Sequence, residues 1–175
     1  MALVVEDGTA KTNSESYATS AETDAYHSDR GNAAWAAVST QATKEAYLRK
    51  ATEYMEQAYR ERWKGMRTTS TQALCWPRAW VEIPDAPYGY GSMAAYIANN
   101  VVPTEVKRAC MEMALQAISG DLAPAIDRET LREKVDVIEV EYNPSGAPYK
   151  KYRNVDMLLS PFLLGSGASA PLVRS

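Results

Sequence analysis

Hydrophobic and polar positions follow a helical period over most of the chain. The clearest stretch runs from residue 41 to 63, contains neither glycine nor proline, and repeats apolar residues such as Leu48, Ala51 and Met55 at three- and four-residue steps. This pattern predicts a long helix, on the order of 22 residues and 33 Å, that forms the backbone of a helical bundle. Gly65 is expected to end it.

Three shorter helices are predicted from their start signals. Thr19 followed by Glu22 is typical of a capping box, so a first helix should begin there, bury Ala21, Ala25 and Tyr26, and stop at Gly31. Pro103 fits the first turn of another helix, because proline needs no backbone donor at that position. Its apolar stripe contains Val106, Ala109, Cys110, Met113, Ala114, Ala117 and Ile118.

A last helix and a strand complete the prediction. Asn154 is a suitable cap for a helix that ends near Pro161, and its apolar face contains Val155, Leu158, Leu159 and Phe162. Residues 134–142 alternate β-branched and acidic positions, which predicts a strand, with a bulge or burial on both faces where Val137 adjoins Ile138. The sequence therefore predicts a mostly α fold: a helical bundle with a short strand or hairpin near residues 134–150.

The remaining segments predict extended or irregular structure. Residues 1–19 suit a loosely ordered arm or an edge strand, and residues 165–175 a flexible tail, around a single domain over 1–164. Residues 84–103 form a long loop with one helical turn expected over 92–98. Loops of this length are often functional or pack on a neighbour, although an insertion would look the same. Tyrosine is common at interfaces, so we expect Tyr88, Tyr90 and Tyr96 to contact a neighbouring protein subunit.

Composition limits the possible functions. The 175 residues carry a formal charge of -3, so the chain as a whole is not a polycation that would coat nucleic acid. No secretory leader or membrane-length apolar run is visible, which indicates a product made in a reducing cytoplasm. There, Cys75 and Cys110 are expected as buried free thiols, with a disulfide between them as the alternative.

Catalytic chemistry finds little support in the sequence. One histidine, His27, is too few for the usual metal sites and is expected at a surface or helix cap, and no phosphate loop, nucleophile elbow or zincin motif occurs. We expect no enzyme activity, catalytic residue, bound metal or cofactor.

One basic and aromatic segment stands out as a candidate contact for nucleic acid. Trp63 is surrounded by Arg60, Arg62, Lys64 and Arg67, and such a mixture can hold phosphates while the ring stacks on a base. The alternative is that Trp63 belongs to the core and the cations stabilise the carboxyl end of a helix.

The nearby sequence QALCWPRAW predicts a corner. A short helix over 71–74 should end before Pro77, because proline pushes the residue before it away from helical angles. Trp76 is expected to anchor the corner in the core, and Cys75 to be unreactive. Arg78 should remain free to contact DNA or a neighbouring subunit.

Taken together, several segments resemble a known family. The segments MALVVEDGT, RGNAAW, RWKG, QALCWPR, VPTEVKRAC and KVDVIEVEY, in this order and spacing, are similar to the head-tail connector (adaptor) proteins of tailed bacteriophages. Some members carry the automatic label DnaT-like single-stranded DNA-binding protein. The resemblance covers residues 1–142 and, more loosely, the last helix, while the long segment 84–100 departs from the pattern.

The resemblance implies a structural virion protein without catalytic function. Such proteins assemble as a homo-oligomeric ring, here of twelve copies, below the portal protein, extend the channel for double-stranded DNA, and bind tail or neck proteins. The protein would then be located at the head-tail interface of the virion and would contact no membrane. By the same resemblance, the portal-binding segment would contain Pro171, Leu172, Val173 and Arg174. The alternative function is a single-stranded nucleic-acid-binding module that uses residues 60–67.

Overall fold

The computed structural model describes residues 2–83, 95–124, 132–135, 138–141 and 150–165. Its architecture is mostly α, as the sequence predicts. The helices are α1 (Ser20–Ser28), α2 (Ala33–Ala36), α3 (Gln41–Tyr59), α4 (Thr104–Ile118) and α5 (Arg153–Leu159), the last followed by a 3-10 turn, Ser160–Phe162. The strands are β1 (Met66–Arg67), β2 (Arg78–Ala79), β3 (Arg132–Val135) and β4 (Ile138–Glu141).

The core lies where α4 packs against α3 on one side and α5 on the other. Leu48, Ala51 and Met55 are buried on α3, as predicted. On α4 the apolar face points inward as well, with Val106, Ala109, Cys110, Met111, Met113, Ala114 and Ala117 buried. Burial of a Val- or Met-sized side chain contributes about 1.5 to 3 kcal/mol, so α4 is a principal source of stability.

Helix α3 ends at Tyr59, four residues before the predicted end. The chain then turns, and Trp63 forms an antiparallel bridge with Leu163 after α5. Gly65 does not terminate the helix; it turns the chain into β1 with a φ of 65°. A Cβ atom at this position would lie 2.2 Å from the carbonyl oxygen of Ala79, so only glycine fits here.

The start of α1 is confirmed, but its buried face is not the predicted one. The Thr19 side chain accepts from the backbone N–H of Glu22, whose carboxylate accepts from the backbone N–H of Thr19, forming the capping box. The buried residues of α1 are Ser20, Thr23 and His27. Of the predicted face, Tyr26 is half-buried against the core, whereas Ala21 and Ala25 are exposed. Small apolar residues carry too little hydrophobic surface to decide which face of a short helix packs inward.

Residues 2–19 are not a loosely ordered arm. Val5 pairs with Ser16, and Tyr17 and Ala18 are fully buried in the core. Glu6 is also fully buried, and its carboxylate accepts hydrogen bonds from the backbone of Gly8, Ala10 and Lys11 and from the Ser14 hydroxyl. The buried Glu6 carboxylate therefore orders this loop. Its small polar residues had predicted a flexible segment, because composition does not show which polar groups bond to each other.

The strand predicted over 134–142 is a hairpin. Strands β3 and β4 pair antiparallel, with Arg132 opposite Glu141 and Val135 opposite Ile138. Val137, where the alternation breaks, lies outside the described part of the chain, as do residues 136 and 142. A second small sheet, β1 with β2, was not predicted.

Two local predictions are wrong, and the last helix is largely right. Residues 71–74 are not helical, and the described part of the expected turn, 95–98, forms a β-bridge between Tyr96 and Glu82 instead. Helix α5 buries Val155 and Leu159 as predicted, but it begins at Arg153, so Asn154 lies inside the helix and is not its cap. No helix in the described residues is long and apolar enough to cross a membrane.

Candidate functional site

The basic segment around Trp63 does not form the predicted grip for nucleic acid. The Trp63 side chain is only 3% exposed and lies edge-to-face with Trp76 at a centroid distance of 5.7 Å. A base therefore cannot stack on it. Arg60 and Arg62 are exposed, but the Trp63 ring that was expected beside them is buried and does not face solvent with them.

The other cations of the segment are held by the protein itself. The Lys64 ammonium donates to the carbonyl of Pro161 at 2.8 Å, and the Arg67 guanidinium donates to the carbonyl of Gln72. Both side chains are half-buried. The alternative interpretation, in which Trp63 belongs to the core, is the correct one.

Arg78 is a structural residue, which corrects the prediction of a free contact. Its side chain is 7% exposed and donates to three backbone carbonyls, those of Lys64 (2.7 Å), Gly65 (2.8 Å) and Cys75 (3.2 Å). Five fixed donors allow one guanidinium to join the turn after α3 to the corner before β2. In sequence these segments are more than ten residues apart, so no local pattern reveals the connection.

The corner at Cys75 is confirmed as a packing feature. Trp76 is fully buried, and the Trp76–Pro77 peptide bond is cis. The Glu56 carboxylate accepts from the backbone N–H of Cys75 at 2.9 Å and from the hydroxyl of Tyr17. Burial, together with the negative charge of Glu56, raises the pKa of the Cys75 thiol to about 12, so the thiol is not an activated nucleophile.

Both cysteines are free and buried, as expected, and form no disulfide. His27 is not at the surface: it is 1% exposed, with Nε2 bonded to the carbonyl of Met111 and Nδ1 to the amide of Asn32. Burial lowers its pKa. In the part of the chain that the structure describes, no group of three His, Cys, Asp or Glu residues could hold a metal ion.

An exposed apolar surface forms where β1, β2 and the segment at Tyr96 meet. Trp80 is 65% exposed and lies edge-to-face with Tyr96 at 5.6 Å, and Tyr96 is itself 44% exposed. Met66, 59% exposed, pairs with Ala79, the residue before Trp80. Because a ring contact joins Trp80 and Tyr96, we call this pair the aromatic surface.

The backbone holds Trp80 outward. Its φ of 62° is rare for a bulky residue, and its neighbour Val81 is fully buried and accepts a backbone hydrogen bond from Ile97. A strained backbone at an exposed aromatic residue is a reason to suspect a function. Sequence reasoning selected Tyr96 but missed Met66 and Trp80. Their exposure depends on the pairing of β1 with β2 and of the chain after β2 with the 95–97 segment, which no local pattern reveals.

The other predicted interface residues fall outside the described part of the chain. These are Tyr88 and Tyr90 in the long loop, and Pro171, Leu172, Val173 and Arg174 in the tail. Their roles remain predictions.

The fold and its surface define a small, mostly helical domain whose exposed aromatic residues are suited to contact. Over residues 1–175 the sequence matches the model of the family described as "Putative DnaT-like ssDNA binding protein", and the chain belongs to that family. No curated protein and no solved structure matches it.

Proposed function

We propose that the protein is a structural connector that assembles as an oligomeric ring between a phage portal and tail and extends the DNA channel. Its partners are other copies of itself, the portal protein and tail or neck proteins. The proposal rests on the resemblance of the sequence motifs to connector proteins and on one structural observation, the aromatic surface.

The aromatic surface has the composition of a protein interface. Tryptophan, tyrosine and methionine are enriched at such interfaces, and exposed tryptophans often contribute most of the binding energy. Trp80 and Tyr96 are already ordered against each other, so little side-chain entropy is lost when a partner covers them.

The charge of the chain suits a channel through which DNA slides. The formal net charge is -3, and three of the five cations assigned to nucleic acid donate to backbone carbonyls. Lys64 and Arg67 are half-buried, and Arg78 is buried. Tight DNA binding needs several free cations on phosphates. A channel wall with a mild negative charge would instead let duplex DNA slide without binding it tightly.

Assembly with the portal protein of the same genome tests the proposal. By mass photometry and electron microscopy, the wild-type chain should form rings on the portal, and the double variant Trp80→Ser, Tyr96→Ser should not. Met157→Ser is the matched control, because Met157 is 64% exposed on α5, outside the aromatic surface. A wild-type chain that ignores the portal and stays monomeric would refute the proposal.

A second candidate function is the binding of single-stranded DNA, which the family description favours. The test is a salt titration of oligonucleotide binding. Because phosphate contacts release counterions, the affinity for the oligonucleotide should fall as salt rises. A chain that binds no oligonucleotide at low ionic strength would exclude this function.

A further inference from the structure

A cavity of about 410 Å³ opens between the end of α3, the loop after α4 and the start of α5. Its size falls in the range of small-ligand sites. Three tyrosines and three cations line it: Tyr54, Tyr59, Tyr152, Arg62, Lys150 and Lys151. No sequence pattern identifies this group, since its members come from segments about a hundred residues apart.

The tyrosines form an ordered aromatic wall. The rings of Tyr54 and Tyr152 meet edge-to-face at 5.4 Å, and both side chains are half-buried. Hydroxyl contacts fix the wall: Tyr152 donates to the carbonyl of Leu122 at 2.9 Å, and Tyr59 donates to the Asp156 carboxylate at 2.8 Å. A planar ligand would therefore meet rings that are already positioned.

The rim of the cavity carries positive charge. Arg62, Lys150 and Lys151 are exposed, and the Arg62 guanidinium carbon lies 5.6 Å from the centre of the Tyr59 ring. Two carboxylates oppose them. The Asp156 carboxylate accepts a hydrogen bond from the Tyr59 hydroxyl. Burial raises the pKa of Tyr152, and the negative charge of nearby Asp121 raises it further. Positive charge thus prevails locally in an acidic chain.

From this arrangement we infer that the cavity binds one nucleotide of single-stranded DNA. The base lies against Tyr54 and Tyr152, and the adjoining phosphates are held by Arg62 and the two lysines. Aromatic rings beside cations are the usual means of holding a single strand, because each base has a face that can stack once it is unpaired. In a duplex these faces are occupied. The inference rests on the second candidate function and is independent of the connector role.

Fluorescence anisotropy of the full chain with a labelled oligothymidylate of about 12 nucleotides tests the site. In low salt, the double variant Lys150→Glu, Lys151→Glu should weaken binding at least about tenfold and flatten the salt dependence. Tyr54→Leu, which keeps an apolar side chain but removes the ring, should weaken it about fivefold or more. Removing an opposing charge, Asp121→Asn, should tighten it. Arg108→Glu is the control, since Arg108 is exposed on α4 and does not line the cavity.

The outcomes distinguish failure of the proposed cavity site from failure of single-strand binding by the protein. Binding that is lost in the lysine and Tyr54 variants but kept in the control supports the cavity. Equal losses in the control and the lysine variant, or none in either, would overturn the cavity while leaving single-strand binding in place elsewhere. No binding by the wild-type chain in low salt would overturn both.

Discussion

The buried carboxylate of Glu6 offers the sharpest test of how residues 2–19 are held. Its Oε1 accepts from the backbone N–H groups of Gly8 (2.9 Å) and Ala10 (3.0 Å). Its Oε2 accepts from the N–H of Lys11 (2.9 Å) and the hydroxyl of Ser14 (3.1 Å). In the Glu6→Gln variant, the amide oxygen can keep the first pair. The amide nitrogen can donate to Ser14, whose hydroxyl can accept, but it opposes the N–H of Lys11.

The cost follows from these four contacts. One orphaned backbone donor costs about 1 to 3 kcal/mol. The bonds that survive lose the charge of the acceptor, and neutral hydrogen bonds are roughly half as strong as charge-assisted ones. We therefore expect the free energy of unfolding to fall by about 2 to 4 kcal/mol. For a chain of this size that loss lowers the Tm by roughly 5 to 15 °C.

Urea unfolding followed by tryptophan fluorescence measures the effect, because Trp35, Trp63 and Trp76 all lie in the core. The control is Glu53→Gln, the same substitution at an exposed position of α3, and it should change stability by less than about 0.5 kcal/mol. If Glu6→Gln matched this control at an unchanged m-value, the carboxylate would not organise the loop and the reasoning would fail.

Four further predictions concern buried side chains. Arg78→Met should lower the free energy of unfolding by about 3 kcal/mol, because three carbonyls lose their donor, whereas Arg60→Met at an exposed site should be nearly neutral in the same urea assay. Cys75 and Cys110 should resist a thiol reagent at pH 8 until denaturant is added; rapid labelling of the native chain would contradict their burial. Folding raises the pKa of Cys75 from 9.0 to about 12, so the unfolded chain releases the thiol proton at a lower pH than the folded chain. The free energy of unfolding should therefore decline above about pH 9, and it should decline less in Cys75→Ala. Burial instead lowers the pKa of His27, so the unfolded state binds a proton more readily than the folded state. The free energy of unfolding should therefore fall as the pH drops below about 6.5, and it should fall less in His27→Gln. Equal pH profiles for the wild-type chain and His27→Gln would refute this.

Local patterns were sufficient for α1, α3 and α4, but they did not predict the short helix α2. The capping box at Thr19, the proline before α4 and the apolar periods of α3 and α4 act within one or two turns, so they are visible in the sequence. The same holds for the strand-forming residues around Ile138. Where a pattern was weak, as in α1, the predicted face was wrong.

The candidate sites depended on contacts between distant segments. Trp63 and Arg78 are residue types that often contact nucleic acid, yet both are buried. The chain after α5 pairs with Trp63, and the turn after α3 supplies backbone carbonyls to Arg78. Composition gives the chemistry that a side chain can perform. It does not give the side chain's exposure, which depends on what packs over it.

The sequence by itself thus determined the helical class, the starts of α1, α3 and α4, and the inward face of α4, since these follow from backbone hydrogen bonding and periodicity over a few residues. Only the tertiary structure decided which aromatic residues and cations are available to a partner. It buried Trp63, exposed Trp80 beside Tyr96, and brought Tyr54 and Tyr152 together from opposite halves of the chain. The physical reason is that burial is a property of the whole packed core, to which residues far apart in sequence contribute jointly.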